Sequence, residues 1–295
     1  MIGRITSSTI TQETLRTLQS NLAARDRLQD QATSQRAFRT PSEDPTAAAT
    51  TLGVHGEQAR VAQFARNLSD GMAWVTTVDT ALGSSIDLLN RARDLTAQGA
   101  NSGALSDTAR EAIAAELDSI SAELIAQANT TVLGRSVFAG TSDAGIAFDP
   151  ATFAFTGTGS AGVNRRISGT ETVRVDADGA QAFGVGAASV FALVKDIAAE
   201  LRGGADIGAR LDDIDDRLTA MVTAQATTGA RQAQIERAAS LNLSLATDLE
   251  AQRAQVENVD SLEVLVRLQS AEIVYQSALQ VTAKSLQTNL LEFLR

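Results

Sequence analysis

From Val54 to Leu89 an aliphatic residue recurs at every seventh position: Val54, Val61, Leu68, Val75, Leu82 and Leu89. The intervening fourth positions hold Phe64, Gly71, Val78, Ser85 and Ala92, small or apolar throughout. Such a repeat is the seam of a left-handed coiled coil, because a period of 3.5 keeps one stripe against one partner. Val61, Phe64, Leu68, Val75, Leu82 and Leu89 are therefore the expected seam of an intramolecular rod. A stiff turn, Thr40-Pro41-Ser42-Glu43-Asp44-Pro45, stands in front of it. Each proline drives its predecessor towards extended backbone, so no helix passes through. Asp44 is the expected N-cap, with Pro45 at the first helical position. Pro41, Asp44 and Pro45 thus form the hinge.

Three prolines in 295 residues leave little else to stop a helix, and two of them sit in that turn. Apolar residues make up 44% of the chain but aromatics only 4%, which suits long helices with thin seams. The net charge of -10 excludes a general nucleic-acid surface. Residues 1–40 run the other way, with six arginines against Glu13, Asp26 and Asp30, but these are scattered among Thr, Ser and Gln and read as a solvated or partner-facing helix. With no cysteine, disulfides and thiolate metal sites are excluded. No apolar run reaches membrane-spanning length, and the opening residues lack the apolar core of a cleaved signal peptide. A cytoplasmic protein, or one exported by a route that reads no cleaved signal, fits both facts.

In chain order, residues 5–35 read as a helix with a broken stripe (Ile10, Leu15, Leu18, Leu22, Leu28) too weak to stand alone. The heptad helix ends in Gly99-Ala100-Asn101-Ser102-Gly103, and Ser106-Asp107 caps a second helix with seam Ile113, Leu117, Ile120 and Leu124. Six of the nine phenylalanines fall between 138 and 191. There, alternation at 163–167 and 171–175 predicts two short strands, with Asp178-Gly179 as a turn signal. A short helix follows over Phe191–Leu201. A second long helix runs from Asp206 to about Val256, matching the first at roughly 75 Å. After a break at Asn258–Ser261, with Asp260 or Ser261 as cap, a last helix carries Leu265, Leu268, Tyr275, Leu279, Leu286 and Phe293. The expected fold is mainly α: a long antiparallel helical coiled-coil bundle of the N- and C-terminal regions with a small β-rich insert in the middle. The expected domains are 1–40 with 260–295, terminal helices; 41–138 with 205–259, a long-helix rod; and 139–204, an outer insert.

Catalytic patterns are wanting. The single histidine, His55, has no cysteine partner and no nucleophile context, and reads as structural. Asp212, Asp213, Asp215 and Asp216 flank a helical seam beside Arg210 and Arg217, as a solvated acidic face. Gly157-Thr158-Gly159-Ser160 lacks the lysine of a phosphate loop. Trp74 is expected to pack. No enzyme activity, cofactor or metal is expected.

The chain resembles the flagellin-like family over residues 1–140 and 205–295. The resemblance rests on Thr40–Ala49, Arg66-Asn67, Asp94-Leu95-Thr96 with Gly99-Ala100-Asn101, Val137–Thr141, Tyr275–Gln280 and Leu290–Arg295. Pro41-Ser42-Glu43-Asp44-Pro45 and Phe138-Ala139-Gly140 favour the family's hook–filament junction branch over its filament subunits. The run Ser34–Arg39 and the break at Glu257–Asp260 depart from the family pattern. The resemblance implies a structural subunit whose terminal helices pair and pack on neighbouring copies, with Leu15, Leu18, Leu22, Leu265, Leu268, Tyr275, Leu279, Leu286 and Phe293 as subunit contacts. It implies as partners copies of itself, a hook-associated protein on the hook side, flagellin on the filament side and an export chaperone, with no nucleic acid and no membrane insertion. It places the protein on the extracellular flagellum, exported through the flagellar channel without a cleaved signal peptide. The alternatives are a filament flagellin and a cytoplasmic signalling coiled coil.

Overall fold

The computed structural model describes residues 7–100, 106–158 and 161–293, with the side chains of 9, 12–100, 106–158 and 161–284. Helices dominate: α1 Ser7–Ser34, α2 Pro45–Ala100, α3 Asp107–Ala128, α4 Gly179–Phe183, α5 Val190–Arg202, α6 Arg210–Glu257 and α7 Ser261–Phe293. Between α3 and α4 lie four short strands, β1 Thr131–Val132, β2 Arg135–Ser136, β3 Asn164–Arg166 and β4 Thr172–Arg174. The chain forms two compact units, Val61–Ser244 and residues 1–60 with 245–295. Both divisions fall inside a helix, in α2 and in α6.

In the Val61–Ser244 unit the heptad seam is the core. Val61, Leu68, Val75, Val78, Leu82, Ser85, Leu89 and Ala92 are buried, and Phe64 is half-buried. Here α6 runs antiparallel to α2. Asn242 Nδ2 donates to the Val61 carbonyl at 3.2 Å, and Arg93 Nε meets Asp215 Oδ1 at 2.6 Å. Packing is close at Gly71, where a Cβ would lie 3.3 Å from Val175 and 3.5 Å from Ile235. Trp74, Ala81 and Leu95 are buried although they lie off the seven-residue register. A single partner helix would leave them wet, but α3 lies alongside α2, where Arg91 meets Glu116 at 2.7 Å. Arg165 of β3 stacks 5.7 Å from the Trp74 ring.

Ser106 caps α3 by accepting from Ala109 N, and Ile113, Leu117, Ile120 and Leu124 are all buried. Asn101, Ser102 and Gly103, read as loop, lie outside the described residues, as do Gly159 and Ser160. The C-cap Asn129 of α3 also clamps the insert: its Oδ1 accepts from Ala147 N and Phe148 N, and its Nδ2 donates to Phe148 O, each at 2.8 Å. Antiparallel β1 and β2 are joined by Leu133-Gly134, both at positive φ (51° and 78°), as a two-residue hairpin requires. The antiparallel pair predicted by alternation is present, with Arg165 opposite Val173. Its strands are short because the insert's core is aromatic and helical. Phe138, Phe148, Phe183 and Phe191 are fully buried, with Phe148 and Phe191 edge-to-face at 5.0 Å. One expectation is corrected here. Asp178-Gly179 is a helix start, not a strand turn, because the Asp178 carboxylate accepts from Ala180 N and Gln181 N and so nucleates α4.

In the other unit the turn before α2 forms as its residues require. Asp44 Oδ1 accepts from Thr46 N at 3.1 Å and Ala47 N at 2.8 Å, and Pro45 opens α2. Glu43 closes the turn from within, accepting from Arg39 N at 2.8 Å, which with the Thr40 hydroxyl lowers its pKa. Asp260 takes the same capping role for α7 by accepting from Leu262 N at 2.9 Å.

The two helix breaks of this unit are tied to each other. Ala37 N donates to Glu257 O at 2.7 Å, and Val259 N donates to Gln35 O at 3.3 Å. The Glu257 side chain meets His55 Nε2 at 2.9 Å and accepts from Arg253 Nη1 at 2.9 Å. The His55 hydrogen bond first, and Arg253 after it, hold the Glu257 carboxyl below the ordinary glutamate value. A depressed carboxyl stabilises the folded state above its unfolded pKa, and that contribution is lost as pH falls through the folded value. Glu257→Gln is therefore expected to speed amide exchange at Ala37 and Val259 about fivefold at pH 7, from loss of charge-assisted bonds worth about 1 kcal/mol at this partly solvated site. The gap between variant and parent should close as pH falls through the lowered carboxyl pKa, below the ordinary glutamate value. Equal exchange at pH 7 would show that the side chain does not hold the clasp.

Candidate assembly surface

Residues with catalytic potential are occupied structurally. His55 belongs to the Glu257 clasp, and Asp213 and Asp215 pair with Arg210 and Arg93. Among the described residues no three His, Cys, Asp or Glu side chains converge to hold a metal. No helix among them is long and apolar enough to cross a membrane. The unusual surface is instead on the terminal helices.

Helices α1 and α7 pack against each other, running antiparallel. The Arg25 guanidinium lies 5.2 Å over the Tyr275 ring, and α1 residues Thr14 and Leu18 share a groove with Ala278 and Val281. Each contributes a heptad stripe. On α1 the stripe is Thr14, Leu18, Asn21, Arg25, Leu28 and Ala32, all partly covered, with Leu22, Ala24, Gln31 and Ser34 partly covered beside it. On α7 the stripe is Val264, Leu268, Ala271, Tyr275, Ala278 and Thr282, spaced four and three in alternation. Of the twelve stripe side chains seven are small or polar, so the pairing is thin. The groove of about 520 Å³ left between the two helices, lined by Thr9, Glu13, Thr17 and Val281, shows as much.

The opposite face of α7 is also apolar. Leu262, Val266 and Ile273 follow one another within about 40° around the helix at 100° per residue, and are 76%, 66% and 65% exposed. Leu265, Val274, Leu279 and Val281 flank that stripe and are exposed as well. A helix apolar on two faces needs two neighbours, and the described residues supply one, α1. Of the contacts expected from the sequence, Leu18, Leu22, Leu268 and Tyr275 lie partly covered in the α1–α7 pair, while Leu15, Leu265 and Leu279 are exposed. Leu286 and Phe293 lie outside the residues whose side chains are described. Leu262, Val266 and Ile273 were not singled out by sequence, although their four- and seven-residue spacing was there to find.

Known proteins resemble this chain in the same regions. Residues 5–143 match the family model of the bacterial flagellin N-terminal helical region, and residues 211–294 that of the bacterial flagellin C-terminal helical region. The flagellar hook-associated protein 3 of Salmonella typhimurium is 26% identical over 181 residues, 61% of this chain and 56% of that protein. The chain thus spans a little over half the length of that relative. The fold is shared with the crystal structure of Bacillus cereus FlgL, at a TM-score of 0.60 and 20% identity over 68% of this chain and 99% of that one. It is shared likewise with flagellar hook-associated protein 3 of Legionella pneumophila, at a TM-score of 0.60 and 13% identity over 69% of this chain and 98% of that one.

Proposed function

By both of its terminal helical regions the chain belongs to the bacterial flagellin family, and from that premise we propose that it is a structural subunit of the flagellum at the junction of hook and filament. The observation that carries the reading is the second apolar face of α7, Leu262, Val266 and Ile273, which stays exposed among the described residues. Burial of such side chains in an adjoining copy yields about 1.5–3 kcal/mol each. The same burial supplies what the thin α1–α7 pairing lacks. The name of the Salmonella relative and the Pro41-Ser42-Glu43-Asp44-Pro45 turn favour the junction over the filament. The partners are then copies of itself, a hook-associated protein on the hook side, flagellin on the filament side and a chaperone before export through the flagellar channel. The reading assigns no reaction to the chain. Residues 1–40 with 260–295 serve as the inner assembly domain, 41–138 with 205–259 as the rod and 139–204 as the outer insert.

Deleting the gene in a flagellated host is expected to leave hooks without filaments, with unassembled filament protein in the medium. A tagged copy should then appear in electron micrographs as a short zone at the distal end of the hook. Label along whole filaments would make the chain a filament flagellin instead. Label confined to the cytosol of cells with intact flagella would overturn export altogether and favour a signalling coiled coil.

A further inference from the structure

Within the Val61–Ser244 unit, a small cleft opens where α6 meets the segment that follows β4. It holds about 230 Å³ and is lined by Arg174, Asp178, Gln181, Thr223, Thr227 and Arg231 among others. Two guanidinium groups enter it, and their circumstances differ. Arg174 grips Asp176, donating from Nε to Oδ1 at 3.0 Å and from Nη2 to Oδ2 at 2.9 Å. The Asp176 side chain is fully buried and accepts also from Val163 N at 2.6 Å, so its acceptor capacity is taken up. Arg231 meets only the backbone of that residue, donating from Nη1 to the Asp176 carbonyl at 2.7 Å. No carboxylate among the described residues lies within ion-pair distance of Arg231. A guanidinium has five N–H donors, and one carbonyl leaves most of them unused.

The surroundings make this costly. Burial first, and then the adjacent Arg174 charge, push the Arg231 pKa down, against a smaller opposing pull from Asp176. A half-buried cation beside a second cation draws in an anion. The Asp176 and Asp178 carboxylates lie close by, but neither forms an ion pair with Arg231. The Asp178 carboxylate caps α4 through Ala180 N and Gln181 N. Thr223 and Thr227 donate their hydroxyl protons back to α6, to Thr219 O and Thr223 O. The exposed Gln181 amide stands at the rim as a further donor.

We propose that this cleft is a receptor for one carboxylate, and that its occupant is an aspartate or glutamate side chain of a second copy of this chain. The volume lies below the range of about 300–1,000 Å³ for small-molecule sites and suits a single side chain. The chain has 35 Asp and Glu against 25 Lys and Arg, so a neighbouring copy offers carboxylates in excess. Exposed Asp87, Asp196, Asp212 and Asp216 have no ion-pair partner among the described residues of their own chain. A bidentate guanidinium–carboxylate contact fixes orientation as well as affinity, which the apolar α7 stripe does not. The choice of a second copy as occupant rests on the flagellar reading above; the carboxylate site itself does not.

Two arms test it. In the first, the full chain is titrated with sodium acetate at ionic strength held constant with chloride, following arginine Nε–H resonances by NMR. One resonance, missing from Arg231→Gln, is expected to move saturably, while backbone amides far from the cleft report that the variant is folded. A resonance that stays still, or drifts linearly as it does in chloride, overturns the site and leaves the flagellar reading to its own deletion test. In the second, Arg231→Glu in the flagellated host is expected to lower swimming at least tenfold with the exported amount unchanged. Arg231→Lys should retain most of it. Reversing one of Asp87, Asp196, Asp212 or Asp216 to arginine in the Arg231→Glu background should restore it. Saturable acetate binding without restoration by any reversal would make the cleft a free-anion site and overturn the neighbouring copy as occupant.

Discussion

Phe191→Ala is expected to remove about 3–5 kcal/mol from the stability of the Val61–Ser244 unit, seen as a lower urea midpoint for the transition of that unit with its slope unchanged. The ring is fully buried, 5.0 Å from Phe148 and 5.7 Å from Phe183. Full burial of a phenylalanine side chain contributes about 1.5–3 kcal/mol by transfer from water, and the cavity left by truncation adds the rest. Its neighbours are rings wedged edge-on and stacked, which relax poorly into the space left. The residue lies in the first turn of α5, and its carbonyl accepts from the buried Ser121 hydroxyl at 3.0 Å, so movement of the helix start would strand a polar group. Against a total of about 5–15 kcal/mol for a domain this is a large share. Leu133→Ser, at the 90% exposed hairpin tip, is the contrast and should change the same midpoint by less than about 0.5 kcal/mol. A loss under about 1 kcal/mol at Phe191 would mean that the insert is held by its strands, not by its aromatic cluster.

That comparison bears on what was legible beforehand. The heptad seam was readable because a repeat of seven has one physical cause, and each of its positions is buried or half-buried where α6 and α2 meet. The capping aspartates at 44 and 260 were readable because a cap is local. Asp178 was misread for the same reason in reverse: Asp-Gly serves hairpins and helix starts alike, and only the tertiary placement of α4 decides between them. Trp74 and Leu95 depend on a second layer that no periodicity in α2 announces. The Glu257 clasp joins His55 and Ala37 across some two hundred residues, and nothing near Glu257 in sequence marks it. On α7 the difficulty was of another kind. Both faces are apolar, so periodicity alone does not say which one meets α1.

That ambiguity becomes the sharpest expectation for function. Val266→Ser together with Ile273→Ser is expected to abolish filament formation, lowering swimming at least tenfold, while leaving the exported, monomeric chain as helical and as stable as its parent. Both side chains are about two-thirds exposed in the isolated chain, so their loss costs the monomer no more than about 0.5 kcal/mol. In an assembled ring each would be buried against a neighbour, and losing two such anchors costs about 3–6 kcal/mol at every subunit contact, or two to four orders of magnitude in contact affinity. Leu268→Ser is the informative control. It lies on the α1-facing stripe, so it should loosen the α1–α7 pair in the monomer, visible as faster amide exchange along α1, before it affects assembly. If the outer pair were neutral and Leu268 alone mattered, the surface joining copies would be the α1-facing stripe. The α1–α7 pair would then have to open for subunits to engage, and the apolar residues at 262, 266 and 273 would need a different neighbour.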